Sequence, residues 1–503
     1  MDLPRIVVTG ASGFVGRHLV RALMDRYRIH AIGRRAPSEC GAPEHPNVTW
    51  HQVDIGDRAP LARVFQAIRT DGGARVLVHL AAHYDFTGDE HPSYRRTNVE
   101  GLRHVLELSR DLGLELFVFA SSIAACSFPP RGRSVTEASP ADGVHIYAVT
   151  KRIGEQMMAE PGLPFRTCTV RLAALFSDWC EYPPLYVFLR TWLSRGWNAR
   201  ILAGRGESAL PYLHVRDVVS ALAVLVDNPS LPASAEVFML GPDGATSHRE
   251  LFDAATREVT GRPARAILLP RPLCRLGIRL RCALGDFFGV RPFERPWMGR
   301  YIDQQLAVDA RRTRQRLDWE PRPRLAILRR LPFLLENMRT HPLDWHRLNL
   351  AAMRIEHVHT HLRIHYVLEL HEDEICRTVT EALLNPRFRR RCERYAAIPP
   401  HEHDWYNRLA LHSLMSSIRT REKGLFMSHC RDLAERRRAQ GFPPDAVRCA
   451  LELLNDTCIK VAAAADPTLP IEELDRQITA TVQFGLDELD DIFERDGAPE
   501  PRA

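Results

Sequence analysis

A tyrosine and a lysine stand four residues apart near the middle of the first half of the chain. Tyr147 and Lys151 are at positions i and i+4, so a helix would present a phenol and an ammonium on one face. A phenol with a pKa of about 10 is a poor proton donor or base at neutral pH. A neighbouring cation favours the phenolate and brings the pKa toward the working range. The pair could therefore move a proton at a reacting oxygen.

Lysine is rare in this chain, which makes its position informative. The 503 residues include 68 lysines and arginines, of which only Lys151, Lys423 and Lys460 are lysines. Lys151 is thus the single lysine among the first 345 residues. Arginine carries a bulkier, planar fork in place of a compact ammonium. We infer that Lys151 is present for its chemistry.

A glycine-rich loop follows the first apolar run and opens the first helical pattern. Gly10 permits a tight turn, Gly13 lets the backbone approach a pyrophosphate, and Gly16 lets the helix pack closely on the strand. The free N–H groups of the helix N-terminus favour an anion. The pattern predicts dinucleotide binding. The predicted contacts are Gly10, Ser12, Gly13, Phe14, Val15 and Gly16.

The residues after the second and third strands discriminate between dinucleotides. NAD needs an acidic side chain for its adenosine ribose hydroxyls, whereas this chain has Arg34 and Arg35, which could clamp a 2′-phosphate. NADP(H) is therefore favoured over NAD(H), and a pair of ordinary surface arginines is the competing interpretation. Asp54, followed by Ile55, is placed to meet the adenine edge, unless it is a strand-end turn aspartate.

The order of elements indicates how these residues are positioned. From Arg5 to Ala120, short apolar runs alternate with helical periods, as in βαβ units around a parallel sheet. We predict an α/β, Rossmann-type doubly wound parallel sheet in residues 1–345, with a small substrate-capping region from about 172. A separate all-α helical bundle is predicted for 346–503. Its helical patterns fall at about 350–383, 404–421, 424–440, 444–464 and 471–494.

Charge and cysteine content exclude several classes of function. Residues 1–345 hold 46 basic and 36 acidic residues, and 346–503 hold 22 and 26. A positive first half suits an anionic dinucleotide, but without dense basic runs we predict no nucleic-acid partner. The eleven cysteines form no C-x-x-C pair, which fits reduced thiols in a cytoplasm.

The most apolar stretch, 268–290, is too interrupted to cross a membrane. Arg271, Arg275, Arg279 and Arg281 break it, so we predict no transmembrane segment. The pattern favours an amphipathic surface or substrate-lid helix, and a weak membrane-surface contact is the alternative.

Several motifs in a fixed order resemble one family. Over about residues 4–336 the chain resembles an extended short-chain dehydrogenase/reductase of the NAD-dependent epimerase/dehydratase superfamily. The motifs are the glycine loop, Asp54, His79-Leu-Ala-Ala82, Asn98-Val-Glu-Gly101, Phe119-Ala-Ser-Ser122, the pair Tyr147 and Lys151, Arg171-Leu172 and Tyr212-Leu-His-Val-Arg-Asp217.

The resemblance implies a role for each matching residue. Tyr147 would be the acid/base, Lys151 its activator and ribose anchor, and Ser122 the residue that hydrogen-bonds the reacting oxygen, with Ser121 in its place if the register shifts by one. The remaining implied positions lie beside the cofactor. Leu80, Ala81 and Ala82 would line its path, and Asn98 would act from the helix beneath the site or merely pack that helix.

The implied chemistry is hydride transfer between nicotinamide C4 and a carbonyl or carbinol carbon. Sugar dehydratases of the family carry Asp-Glu where this chain has Ile123-Ala124, which disfavours dehydration. An NADPH-dependent reductase of flavonoid, steroid or aldehyde carbonyls is the first hypothesis, and a nucleotide-sugar epimerase is the alternative. Predicted substrate-wall residues are Tyr84, Phe86, Trp179, Glu181, Tyr182 and Trp192.

The helical half is rich in histidine. His357, His361 and His365 recur every fourth residue, with Glu369 next in the row. No partner spacing completes a metal site, so we predict a polar helix face and no metal. Residues 426–463 faintly resemble the sensor domain of stressosome-type regulators. That likeness suggests a homodimer, and a third hypothesis of a dinucleotide-sensing regulatory protein.

Overall fold

A computed structural model describes residues 3–86, 88–288, 292–353, 359–385 and 394–494. The chain divides into two compact units. The first consists of Met1–Thr340 with Ala351–Ile355, and the second of His341–Leu350 with Glu356–Ala503.

A seven-stranded sheet forms the centre of the first unit, and all its neighbouring strands are parallel. The strand order is β11-β6-β5-β4-β1-β2-β3. The bounds are β1 (Arg5–Thr9), β2 (Arg28–Gly33), β3 (Val48–Gln52), β4 (Val76–His79), β5 (Leu116–Ser122), β6 (Arg166–Leu172) and β11 (Glu236–Leu240). The predicted Rossmann-type sheet is confirmed.

Helices cover both faces of this sheet, which is why its strands read as continuous apolar runs. On β1, Ile6 and Val8 pack with Leu19 on one face, whereas Val7 packs with Leu61 on the other. The helices around the sheet are α1 (Phe14–Leu23), α2 (Pro37–Cys40), α3 (Arg58–Thr70), α4 (Pro92–Arg95), α5 (Leu102–Leu108), α6 (Ile146–Met158) and α8 (Val215–Asp227), with a π-helix over Arg96–Gly101.

Smaller elements follow β6, in the part of the chain where the sequence predicts a substrate-capping region. Three two-stranded pairs contribute: β7 (Ala174–Phe176) with β10 (Tyr212–His214), β8 (Ile201–Ala203) with β13 (Ile267–Leu269), and β9 (Ala209–Leu210) with β12 (Thr246–Ser247). The helices are α7 (Pro183–Trp192), α9 (His248–Thr260), α10 (Arg271–Phe288), α11 (Arg311–Leu317) and α12 (Ile327–Thr340). Trp192 stacks on Phe188 and meets Phe252 edge-on, so it belongs to the packing between α7 and α9.

The second unit is helical, as predicted. Its helices are α13 (Pro342–Met353), α14 (Thr360–Leu370), α15 (Glu372–Leu384), α16 (Pro400–Thr420), α17 (Gly424–Ala439), α18 (Pro444–Ala465), α19 (Ile471–Leu474) and α20 (Ala480–Glu494), with a π-helix over Asp475–Thr479. The single helical pattern predicted over 350–383 is wrong, because α14 ends at Leu370 and α15 starts at Glu372, with His371 between them. Glu372, Asp373 and Glu374 open α15, where carboxylates favour a helix N-terminus.

The structure describes two of the three histidines in the predicted row. His357 lies outside the described residues. His361 and His365 are half-buried on α14, and burial lowers the pKa of each to about 4. Within the described residues no group of three or more His, Cys, Asp or Glu side chains could hold a metal ion. No helix in the described ranges is long and apolar enough to cross a bilayer.

Candidate active site

Helix α6 carries both residues of the predicted proton-transfer pair. It begins after His145, whose side chain accepts a hydrogen bond from the Ala148 N–H and so caps the helix. Tyr147 and Lys151 follow on one helical face, with the Lys151 ammonium 5.6 Å from the Tyr147 ring centroid. Lys151 is 4% exposed and donates a 2.6 Å hydrogen bond to the Ala120 carbonyl. The ammonium is therefore fixed beside the phenol.

Two serines end strand β5, and their side chains have different partners. Ser122 hydrogen-bonds to Tyr147, whereas Ser121 is buried and donates a 2.6 Å hydrogen bond to Glu155. Successive side chains on a strand point to opposite faces, which separates the two. The geometry thus brings Ser122, and not Ser121, to the pair on α6.

Burial decides the protonation of this cluster. It raises the pKa of Tyr147, and the hydrogen bond from Ser122 opposes that shift. The lowered phenol pKa expected from the sequence is therefore wrong, because removal from water disfavours the charged phenolate. Burial also lowers the pKa of Lys151 to about 8, against the opposing charge of Glu155.

A buried ion pair lies behind Lys151. Glu155, one helical turn after Lys151, accepts two hydrogen bonds from Arg171, at 2.7 and 3.0 Å. Ser121 also donates to this carboxylate, and Arg171 donates to the Ser139 carbonyl at 2.7 Å. Sequence reasoning missed Glu155, although the Tyr147, Lys151, Glu155 spacing of four residues was a usable signal. The pair fixes a negative charge close to the ammonium.

The glycine loop connects β1 to α1 in a tight turn. Gly10 has a φ of +72°, and a Cβ on it would lie 2.6 Å from the Ala81 backbone nitrogen. A Cβ on Gly16 would collide with the Gly10 carbonyl. Gly13 is the N-cap of α1, and no side chain caps this helix end. The N-terminal N–H groups are left for an anionic ligand, so the loop fits a dinucleotide pyrophosphate.

The loop lies where the strand order reverses. Strand β1 is flanked by β4 on one side and β2 on the other, and ligands of such sheets bind at the carboxyl ends of the strands at this point. Residues Leu80–Ala82 follow β4 directly, and Ala81 touches the loop at Gly10. The residues predicted to line the cofactor path therefore share one edge of the sheet.

The residues predicted to bind the adenosine end follow β2 and β3. Arg34 and Arg35 are both exposed, and the Arg35 guanidinium donates to the Ser12 carbonyl. Asp54 accepts a 2.9 Å hydrogen bond from the Gly56 N–H and pairs with Arg96 at 3.2 Å. These contacts are those of a strand-end turn aspartate. The following residue, Ile55, is buried and packs in the core beneath it.

Asn98 lies on the π-helix and joins two parts of the site. Its amide accepts from the His83 N–H at 2.6 Å and donates to the His83 carbonyl at 3.0 Å. It also donates to the Thr150 hydroxyl on α6 at 3.0 Å. These bonds match the packing interpretation: Asn98 holds the segment after β4 against the helix that carries Tyr147.

A series of contacting aromatic rings extends from Tyr147. Tyr84 stacks on it with ring centroids 4.2 Å apart, and Tyr84 in turn contacts Phe86 at 4.0 Å. Phe86 meets Tyr182 at 5.9 Å and Phe293 at 6.0 Å. Three of these rings were expected from the sequence. We call this set of rings, Tyr84, Phe86, Tyr182 and Phe293, the aromatic wall.

One further ring approaches the start of α6, from a segment that sequence reasoning missed. Trp297 lies 6.0 Å from His145, the residue that caps α6, and His145 lies 6.2 Å from Tyr147. Phe293 and Trp297 are about 150 positions from Tyr147 in the chain. Nothing in their local spacing indicates that Phe293 contacts Phe86 or that Trp297 contacts His145.

The other predicted wall residues form a turn beside α1. Glu181 is buried, pairs with Arg17 of α1 and accepts a 2.7 Å hydrogen bond from Ser177. Ser177 also accepts from the Trp179 N–H at 3.0 Å. Both carboxylate oxygens of Glu181 are thus bound by protein groups. These contacts suit a residue that holds the turn in place.

Comparisons with known proteins agree with this fold and motif set. Residues 6–241 match the model of the NAD dependent epimerase/dehydratase family. A 3 beta-hydroxysteroid dehydrogenase/Delta 5-->4-isomerase of Mycobacterium tuberculosis is 27% identical over 242 residues, which is 46% of this chain and 64% of that enzyme. The chain therefore matches less than two thirds of that relative.

A second relative and a solved structure extend the comparison. A ceramide reductase of Caulobacter vibrioides is 28% identical over 284 residues, 53% of this chain and 74% of that protein. The crystal structure of a Thermotoga maritima UDP-glucose 4-epimerase superposes with a TM-score of 0.53 and 20% identity, covering 67% of this chain and 99% of the other. This likeness supports the fold alone. The resemblance of residues 426–463 to a stressosome sensor has no support from these matches.

Proposed function

We propose, from the match of residues 6–241 to the NAD dependent epimerase/dehydratase family, that this protein is an NADP(H)-dependent reductase of carbonyl groups on apolar substrates. The observation that carries the proposal is the convergence of Ser122, Tyr147 and Lys151 beneath the aromatic wall. A proton donor, its hydrogen-bond partner and a buried cation are the groups that carbonyl reduction requires.

The cofactor assignment rests on the loop and on the two arginines. The uncapped N-terminus of α1 and the glycine cradle would hold the pyrophosphate, and Lys151 would bind the nicotinamide ribose. Arg34 and Arg35, exposed at the end of β2, would bind a 2′-phosphate through charge-assisted hydrogen bonds. NADPH, when bound, supplies the hydride.

The side chains of this site handle the substrate oxygen and its proton. Ser122 would hydrogen-bond the carbonyl oxygen and orient it toward the phenol. Tyr147, whose pKa is raised by burial, keeps its proton until the oxygen becomes an alkoxide and then donates it. The ammonium of Lys151, held by the Ala120 carbonyl, stabilises the phenolate that remains. A raised phenol pKa thus favours the direction of reduction.

The aromatic wall supports an apolar substrate. Tyr84 lies beside Tyr147, and Phe86, Tyr182 and Phe293 continue the aromatic surface from it. Such surfaces bind flat or aliphatic carbon skeletons well. Two relatives are named for substrates of this kind, a hydroxysteroid and a ceramide. A nucleotide sugar would instead need polar groups for its hydroxyls and phosphates.

Steady-state assays on the purified chain test the proposal. Consumption of NADPH and of NADH is measured with ketosteroids, long-chain ketones and aldehydes, and with nucleotide sugars. We expect turnover of an apolar carbonyl with a kcat/KM for NADPH about tenfold or more above that for NADH. Interconversion of nucleotide sugars without net consumption of cofactor would establish the epimerase alternative. Tight NADPH binding with no turnover of any compound would favour a dinucleotide sensor.

A further inference from the structure

Helix α10 exposes a row of leucines along its length. Leu273, Leu276, Leu280 and Leu284 are 53%, 54%, 56% and 57% exposed. They are separated by three or four residues and so lie on one face. The adjoining strand β13 adds Ile267 and Leu268, which are 55% and 41% exposed. A row of exposed leucines of this kind marks a site of contact with a membrane or a protein.

The opposite face of α10 holds the helix on the first unit. Cys274 is buried, and its thiol donates to the Leu269 carbonyl. Ile278, one turn later on the same side, is partly buried. Arg275 donates a 3.0 Å hydrogen bond to the Gly299 carbonyl. The leucines therefore point away from the body of the unit because the other side of the helix is already packed.

The charges beside the leucine row are almost all positive. The helix contains Arg271, Arg275, Arg279 and Arg281, with Asp286 as its single acidic residue. All four arginines are exposed. Arg281 pairs with Glu294 at 3.3 Å, and Arg279, between two of the leucines, is exposed beside them. This arrangement of leucines flanked by arginines complements an anionic lipid surface.

We propose that α10 binds this protein to the surface of an anionic lipid bilayer. The helix would lie in the plane of the headgroups, with the leucines in the acyl boundary and the arginines at lipid phosphates. The proposal goes beyond the proposed reaction and does not depend on it. Vesicle binding succeeds or fails whatever the site reduces.

The position of α10 gives such binding a consequence. Five residues after the helix, Phe293 contributes a ring to the aromatic wall, and Trp297 lies against His145 at the start of α6. Phe293 and Trp297 therefore contact two residues, Phe86 and His145, that lie next to Tyr84 and Tyr147 in the candidate site. An apolar compound dissolved in the bilayer would meet the candidate active site close to the surface that binds the membrane.

Flotation of the full chain with vesicles tests this proposal. Phosphatidylcholine vesicles with and without phosphatidylglycerol are compared, at low and high salt. We expect binding only when phosphatidylglycerol is present, and weaker binding at high salt because screening shortens the reach of the arginine charges. Leu276→Glu with Leu280→Glu should reduce binding about tenfold or more, since each carboxylate opposes both insertion and the lipid charge.

Matched variants and a solution measurement complete the test. Leu370→Glu with Leu425→Glu changes two leucines of similar exposure elsewhere and should bind as the wild type does. Arg279→Glu should weaken the preference for phosphatidylglycerol. No vesicle binding, equal binding to neutral vesicles, or unchanged binding by the α10 double variant would overturn the proposal. A dimer in sedimentation velocity that the α10 double variant abolishes would also overturn it, by assigning the leucines to a second copy.

Discussion

The ring of Tyr84 stacks on the ring of Tyr147, with centroids 4.2 Å apart and planes inclined by 20°. Tyr84 lies in the segment after β4, and Tyr147 lies in the first turn of α6. Their contact therefore packs that segment against the helix. Asn98 secures the same junction through His83 and Thr150. The stack contributes to the burial that keeps the phenol protonated.

Replacing Tyr84 should therefore change both binding and proton transfer. Tyr84→Ala removes the ring and admits water, so kcat/KM should fall about tenfold, and the pKa of Tyr147 should move down. Tyr84→Phe keeps the ring and should stay close to the wild type. Rates measured against pH in the three proteins check this. An Ala variant indistinguishable from the Phe variant would show that the stack has no role in turnover.

Lys151 makes the activity sensitive to alkaline pH. Its ammonium, which would bind the ribose and stabilise the phenolate in the proposed reaction, has a pKa of about 8 because it is buried. The ammonium form is present below that pH and is lost as the pH rises through it, whereas an exposed lysine would stay charged to about 10.4. We expect kcat/KM to decline above pH 8.

Glu155 should determine where that decline begins. Its carboxylate raises the pKa of Lys151, so Glu155→Gln should shift the alkaline limb to lower pH. Glu160→Gln, an exposed change near the end of the same helix, is the matched control and should leave the limb in place. Thermal unfolding of both variants separates this shift from a loss of fold. If the alkaline limb stays at the same pH in Glu155→Gln, Glu155 does not set the pKa of Lys151.

Gly10→Ala should abolish dinucleotide binding. Its φ is +72°, and an added Cβ would lie 2.6 Å from the Ala81 nitrogen, so the loop cannot keep its shape. Gly113→Ala is a close control, because Gly113 has a φ of +71° and open space around its Cβ position. That variant should lose only about 1 kcal/mol of stability from backbone strain. Titration of NADPH by fluorescence distinguishes them, and equal affinities would contradict the assigned loop.

Arg34 and Arg35 should control the choice of dinucleotide. Replacing both with Ala removes the charges next to the predicted 2′-phosphate, so KM for NADPH should rise about ten- to hundredfold. KM for NADH should change little. Arg58→Ala, an exposed arginine on α3, serves as the control. If the double variant kept its preference for NADPH, the two arginines would be ordinary surface residues.

Local sequence predicted the elements better than it predicted the environment of the site. The apolar run of Ile6, Val7 and Val8 could be interpreted as a strand covered on both faces, because each face of a doubly wound sheet is packed. The glycine spacing likewise identified the loop after β1. In contrast, the spacing of Tyr147 and Lys151 indicated a lowered phenol pKa and could not reveal that burial would reverse the shift.

The contacts that sequence reasoning missed join distant parts of the chain. Glu155 meets Arg171 across the junction of α6 and β6, and Phe293 reaches Phe86 from more than 200 positions away. Such pairs depend on how the elements pack, and no local periodicity encodes them. His371, where a predicted helix is interrupted, is a similar case, since the apolar spacing on its two sides looks continuous.

The most direct test of the central claim is a comparison of binding and turnover in Tyr147→Phe. The phenyl ring keeps its place beside Tyr84 and Lys151, but the proton is gone. We predict that this variant binds NADPH with an affinity within about threefold of the wild type, while kcat for carbonyl reduction falls about 10²- to 10⁴-fold. Turnover close to that of the wild type would contradict the assignment of Tyr147 as the acid and, with it, the proposed function of the site.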